Sequence, residues 1–275
     1  MNYKINYIKI GIVILLLIWI ISFGVFSNKR INGYEGCNNL IETNINYGQG
    51  IYLYVKQSPY INDRVISASF PDIKGGEGIE VEAEVATSYK RTSHYDVKTL
   101  CISLMNTDGT PNNNLKNSLK GKTLSKVKLK TLSGKEFICD IGRVYISEDS
   151  GIYDSKYNFG SNINSDGSIV GWLGIERGTE LIGMESAYLD EVFNTMDIYL
   201  NDKKITRSNL PVKFNEGAIK LKIKLRDNNN TSGYDVRSIN LGFKFKEKSG
   251  KVYNSYINIK LDEITESVGI SGSGI

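Results

Sequence analysis

Two stretches of this chain alternate apolar and charged residues at every position. Glutamates separate the apolar residues from Ile79 to Val85, and basic residues do so from Ile219 to Arg226. Successive side chains of a β-strand point to opposite faces, so this period of two predicts half-buried strands. The chain is therefore predicted to be all-β.

These strands belong to an internal repeat. Residues 61–69 align with 200–208, and 92–100 align with 231–239 at the same spacing, while further blocks agree in the same order at other spacings. We predict two copies of one domain, residues 44–147 and 162–265, joined by a linker at 148–161 and followed by a flexible tail at 266–275. The alternative is that Lys-rich strand sequences resemble each other through composition alone. A true repeat should show the same strand order twice.

A Tyr-Asp-Val triplet follows a polar loop in both copies, beginning at Tyr95 and Tyr234. It resembles the Tyr-x-Cys or Tyr-x-Val of immunoglobulin-like and fibronectin-like sandwiches, in which a tyrosine corner fixes that loop. The resemblance covers three residues per copy and implies an architecture but no function. The predicted fold is two tandem immunoglobulin-like β-sandwich domains behind an N-terminal transmembrane helix, with a β-hairpin from Ile239 to Leu261 in the second copy.

The N-terminal segment predicts a membrane anchor. Ile10 to Phe26 carries no charge, and as a helix its 17 residues reach roughly 26 Å, near the lower limit for crossing the hydrocarbon core. We predict a retained signal anchor at 1–27 and a stalk at 28–43; a cleaved secretory signal is the alternative. The protein would cross the cell membrane once, with its C-terminal part outside the cytoplasm.

The side-chain inventory argues against catalysis. His94 is the single histidine and aligns with Gly233 of the other copy, and no phosphate-loop, serine-hydrolase or zinc-protease motif occurs. We therefore predict no enzyme, no cofactor and no metal site. The 34 basic residues nearly balance the 30 acidic ones without a basic stripe, so no nucleic-acid partner is expected. A carboxylate pair assembled by folding would leave no local motif in the sequence.

The three cysteines are predicted to form no disulfide within a domain. Cys139 is in phase with the inward row of its strand and Cys101 is out of phase with its own, so the two should lie on opposite faces. Cys37, in the predicted stalk, could join two chains.

Two insertions distinguish the copies. The first, Asn106 to Ser125, is polar and predicts a projecting loop. The second places several apolar residues on one helical face, which predicts either a short helix over one end of the sandwich or a partner-binding ridge. The possible partner contacts are Trp172, Tyr188, Leu189, Val192 and Phe193.

These features predict a membrane-anchored extracytoplasmic binding or structural protein that acts through its tandem domains on an unidentified protein or envelope partner. One alternative is a subunit of an envelope-spanning secretion, conjugation or pilus-like assembly. Gly11 precedes an apolar run as in a prepilin, although Leu16 stands where prepilins carry glutamate. A second alternative is an enzyme that acts on a cell-envelope polymer.

Overall fold

The computed structural model describes residues 2–28, 31–45, 50–73, 79–85, 94–106, 109–147, 159–164, 168–226 and 236–262. Strands dominate these ranges, which confirms the predicted all-β class. The helices within them are α1 (Asn2–Asn28), α2 (Asn113–Leu119) and α3 (Leu189–Thr195). The strands are β1 (Tyr34–Gly36), β2 (Asn39–Asn44), β3 (Gly50–Gln57), β4 (Val65–Ser69), β5 (Ile79–Val85), β6 (Asp96–Ser103), β7 (Thr123–Thr131), β8 (Glu136–Ser147), β9 (Gly160–Ile163), β10 (Ile169–Gly174), β11 (Glu180–Glu185), β12 (Met196–Leu200), β13 (Lys203–Ile205), β14 (Val212–Lys213), β15 (Ala218–Leu225), β16 (Val236–Lys246) and β17 (Val252–Asp262).

The first unit is one sheet that rolls around a core. Its strands follow the order β1-β3-β6-β5-β4-β7-β8, and β5 turns the corner because it pairs with both β4 and β6. The far edges also meet: a Cβ on Gly36 of β1 would lie 1.7 Å from the carbonyl oxygen of Asp140 in β8. Only glycine permits this approach of two backbones.

The second unit is a sandwich of two sheets. The five-stranded sheet β13-β12-β15-β10-β9 contributes Leu221 and Ile198 to a core that also contains Leu241 and Phe243 of β16. β16 and β17 pair along their whole length around a turn at residues 247–251, which confirms the predicted hairpin.

β2 joins the two units. It pairs in parallel with β8 on one side and with β16 on the other. Of its neighbouring residues, Leu40 enters the second core and Ile41 enters the first. The prediction of a stalk is therefore wrong for residues 31–43, because this segment contains β1 and most of β2 and belongs to the fold. The segment shows no clear alternation because both of its faces are covered.

The repeat does not extend to strand order. In the first unit β5 lies between β4 and β6, whereas its counterpart β15 lies between β12 and β10. The counterpart of β6 is the first part of β16, which lies in the opposite sheet from β15. The prediction of two copies with one strand order is wrong, although both units are β structures with their own cores.

The first insertion contains a helix and not only a projecting loop. Leu115 and Leu119, four residues apart on α2, are buried against the first core. The side chain of Asn112 caps this helix by accepting a hydrogen bond of 3.0 Å from the N–H of Leu115. The insertion is polar overall, but its two buried leucines attach it to the first core.

The N-terminal segment is helical, as α1. Its large apolar side chains between Ile10 and Val25 are each 51–68% exposed. Within the residues that the structure describes, no helix reaches the length and apolarity required to span a membrane. The tail at 266–275 and most of the predicted linker lie outside the described residues, but Phe159 is buried in the second core and Gly160–Ile163 form β9.

All three cysteines are buried thiols outside any disulfide. Cys139 lies in the first core as predicted. Cys37 lies there too, fully buried, which excludes the predicted crosslink between chains while the unit is folded. Cys101 is only 9% exposed because its sulfur lies over the backbone of Gly50.

Candidate functional site

A cleft of about 480 Å³ opens where the two units meet. Its lining comes from both units and from β2, which joins them. The lining residues are Glu42, Thr123, Tyr145, Ser147, Glu185, Ser186, Ala187, Tyr188, Asn240 and Tyr256. The volume lies in the range of small-molecule and side-chain pockets.

Glu42 is the acidic residue that β2 brings into the cleft. It stands two residues after Leu40 and therefore on the same face of the strand, toward the second unit. Only 8% of the residue is exposed. Its Oε2 accepts hydrogen bonds from the Ser186 hydroxyl (2.7 Å) and the Ala187 N–H (3.3 Å).

The surroundings of Glu42 disfavour its charge. Burial raises the pKa of Glu42 above its ordinary value, hydrogen bonds from Ser186, Ala187 and Asn240 partly oppose this rise, and the nearby Glu185 carboxylate raises the pKa further. Two carboxylates therefore interact across the cleft.

Glu185 is held from the opposite side. Its Oε1 accepts hydrogen bonds from the Tyr256 hydroxyl (2.6 Å) and from Asn254 Nδ2 (3.3 Å). Gly242 makes room for this pair, because a Cβ there would lie 2.6 Å from Glu185 Cγ and 2.7 Å from Tyr256 Cε1. The glycine thus places the second carboxylate.

Tyr188 forms one wall of the cleft. Its hydroxyl donates to the carbonyl oxygen of Arg143 (3.1 Å), and the Arg143 guanidinium lies 5.3 Å from the centre of its ring. The same guanidinium forms an ion pair with Glu191 (2.5 Å). Burial raises the pKa of Tyr188, so its hydroxyl stays neutral at physiological pH.

Two asparagines form a chain of hydrogen bonds beside the cleft. Asn240 Nδ2 donates to the backbone carbonyl of Glu42 (3.1 Å), and Asn258 Nδ2 donates to Asn240 Oδ1 (2.7 Å). This chain of bonds ties β2 to β16 and β17 beside the carboxylates. The cleft is thus built on strands, and the position of Glu42 depends on the second unit.

The lining combines acidic and aromatic groups. It holds two carboxylates and three tyrosines, and none of the lining residues is Lys, Arg or His. Across the described ranges, no cluster of three or more His, Cys, Asp or Glu side chains could hold a metal ion.

The predicted partner contacts do not form one surface. Tyr188 lines the cleft, Val192 of α3 is buried in the second core, and Leu189 and Phe193 pack against that core. Trp172 lies elsewhere, 52% exposed on β10 between Gly160 of β9 and Lys220 of β15. The insertion thus forms a short helix over the core. Of the five predicted contacts only Tyr188 lines the cleft, together with Glu185, Ser186 and Ala187, which precede it in the chain.

Nine of the ten lining residues, among them Glu42, Glu185 and Tyr256, are not among the residues predicted from the sequence. Glu42 lies in the predicted stalk, and the other two lie in strands with ordinary polar residues. The parallel pairing of β2 with β16 brings these residues together, and no local sequence pattern predicts this pairing. The one available signal was a glutamate directly after the apolar pair in Asn39-Leu40-Ile41-Glu42.

Comparison with known proteins adds little. No family model and no curated protein matches the chain. One solved structure that aligns with it is described as "Structural insight into host cell surface retention of a 1.5-MDa bacterial ice-binding adhesin", with 7% identity over 84% of this chain and 63% of that one and a TM-score of 0.21. The chain thus spans under two thirds of that adhesin chain.

Proposed function

We propose that this chain is a membrane-anchored, extracytoplasmic binding protein that presents the cleft between its two β units to a ligand outside the cytoplasm. The observation that carries this proposal is the cleft itself, lined from both units and bordered by part-buried hydrogen bonds to its two carboxylates. Binding sites occur preferentially at such domain junctions. The strands of both units, together with β2, surround the ligand site.

The membrane anchor is the second part of the proposal. The side chains of α1 between Ile10 and Val25 are apolar and exposed, and such a surface is costly in water. Insertion into a bilayer would remove that cost, and the uncharged run from Ile10 to Phe26 is close to the minimal spanning length. The long polar part that follows would then lie outside the cytoplasm.

The test compares the full chain with a variant that lacks residues 2–28. We expect the full chain to sediment with membranes and to resist alkaline extraction, and protease added to intact cells should cleave it. The shortened variant should stay in the cytoplasm. A full chain that is soluble, or that protease reaches only after lysis, contradicts the proposal.

The carboxylate pair favours a second candidate, an enzyme that hydrolyses an envelope polymer. Buried Glu42 would act as the acid, and the more exposed Glu185 as the base. Purified chain should then release reducing ends from peptidoglycan fragments, and the variants Glu42→Gln and Glu185→Gln should each lose this activity. Lack of hydrolysis by the unmodified chain leaves the binding function as the better proposal.

A further inference from the structure

We infer that the cleft recognises a protonated amine on an aliphatic chain, such as the lysine side chain of an extracytoplasmic partner. The inference rests on the proposed binding function and names the chemistry of its ligand.

The charge of the cleft favours a cationic ligand. Glu42 and Glu185 contribute two carboxylates to the lining, and no lining residue is basic. The Arg143 guanidinium lies over the Tyr188 ring and forms an ion pair with Glu191. An ammonium group would supply the positive charge that the carboxylates lack, whereas an anionic ligand would be repelled.

The size and the aromatic walls of the cleft favour an amine on an aliphatic chain. The cleft has room for several methylene groups in addition to a charged tip, and Tyr145, Tyr188 and Tyr256 provide the aromatic surfaces that favour cations. A bare calcium ion fits less well because it takes six to eight oxygen ligands in a tight shell. The described part of the chain offers no acidic cluster of that kind.

Glu42 is kept buried at a cost in free energy. Its hydrogen bonds from Ser186 and Ala187 compensate only part of the loss of solvent. A cation in the cleft would stabilise the ionised form of the carboxylate. The groups that face Glu42 are Glu185, Tyr145, Tyr188 and Tyr256, with Arg143 behind Tyr188.

The experiment measures binding of α-N-acetyl-lysine methylamide to the full chain in detergent micelles by saturation-transfer NMR. The matched probe is α-N-acetyl-norleucine methylamide, which keeps the four side-chain carbons of lysine and replaces the ammonium group by hydrogen. We expect the lysine probe to bind at pH 7 and the norleucine probe to bind at least about tenfold more weakly. Binding should weaken as the pH falls to 4, because protonation removes the charge of Glu42.

Variants locate the site. Glu42→Gln and Glu185→Gln should each weaken binding about tenfold, while Glu247→Gln, in the turn after β16, should leave it unchanged. Because Glu42 is buried, its variant is checked for folding by circular dichroism, and the exposed Glu185 provides the independent test. Equal binding of both probes, or binding that neither cleft variant weakens, overturns the inference. Preferential binding of a chitin oligosaccharide also overturns it and indicates a sugar site. The membrane and protease test is unaffected by any of these outcomes.

Discussion

At the level of single residues, Glu42 couples the stability of the fold to pH. Its pKa is raised in the folded state, chiefly by burial, so the unfolded chain releases this proton first as the pH rises above about 4.5. The stability contributed by the protonated form is complete below that pH and is lost as the pH rises through the folded pKa.

Glutamine cannot ionise. We therefore expect the free energy of unfolding of Glu42→Gln, relative to that of the unmodified chain, to be higher at pH 7 than at pH 4. Urea unfolding of both proteins at the two pH values measures this difference. The substitution also changes hydrogen bonds, and these changes affect the free energy of unfolding at both pH values. Only the difference between the effects at pH 7 and at pH 4 therefore tests the charge of Glu42. Glu247→Gln serves as the exposed control. An unchanged or opposite difference would show that Glu42 is not penalised by its burial.

The cysteines give a second prediction at this scale. Cys139 is 1% exposed, and burial together with the charges of Glu35 and Asp140 raises the pKa of its thiol to about 12. We expect Ellman's reagent to find no reactive thiol in the folded chain and three after unfolding in urea. Reductant should leave the urea midpoint unchanged, and Cys139→Ser should cost about 1–2 kcal/mol. A midpoint that falls with reductant would reveal a disulfide.

At the level of elements, the sequence predicts best the strands that have one solvent-facing side. β15 alternates Leu221 and Ile223 with lysines, and the β16–β17 hairpin carries its turn residues in sequence, so local patterns suffice for both. β2 lacks such a pattern because Leu40 and Ile41 are both buried, in different cores. The cleft cannot be predicted from local sequence patterns either, since Glu42 and Glu185 come together only through strand pairing between distant parts of the chain.

The position of β2 predicts that either of two substitutions weakens both units. Leu40→Ala removes a side chain from the second core and Ile41→Ala removes one from the first, and each should cost about 2–5 kcal/mol. Hydrogen exchange of β8 and of β16 should increase in both variants, because β2 pairs with both strands.

Ile138→Ala is the matched control, since that side chain is 69% exposed and its loss should change stability by no more than about 0.5 kcal/mol. If each variant increases hydrogen exchange in one unit only, β2 does not couple the two units.

At the level of the whole molecule, the second unit is incomplete without the first. β2 pairs with Val236, Arg237 and Ser238 of β16 and places Leu40 in the second core. A fragment that begins at residue 148 would lack both contributions. By contrast, α1 makes no extensive contact with the described strands, so residues 31–275 contain every element of the two units.

We therefore expect fragment 148–275 alone to unfold without a cooperative transition, although the repeat in the sequence would make it a complete domain. Fragment 31–275 should unfold in one transition in calorimetry, because the two cores share a strand. Mixing fragment 148–275 with fragment 31–147 should restore the cooperative transition, since the second fragment supplies β2 in its pairing with β8. Independent, reversible folding of fragment 148–275 with the stability that it has in the longer chain would mean that β2 contributes nothing to the second unit, and the cleft would then lie between two separable domains.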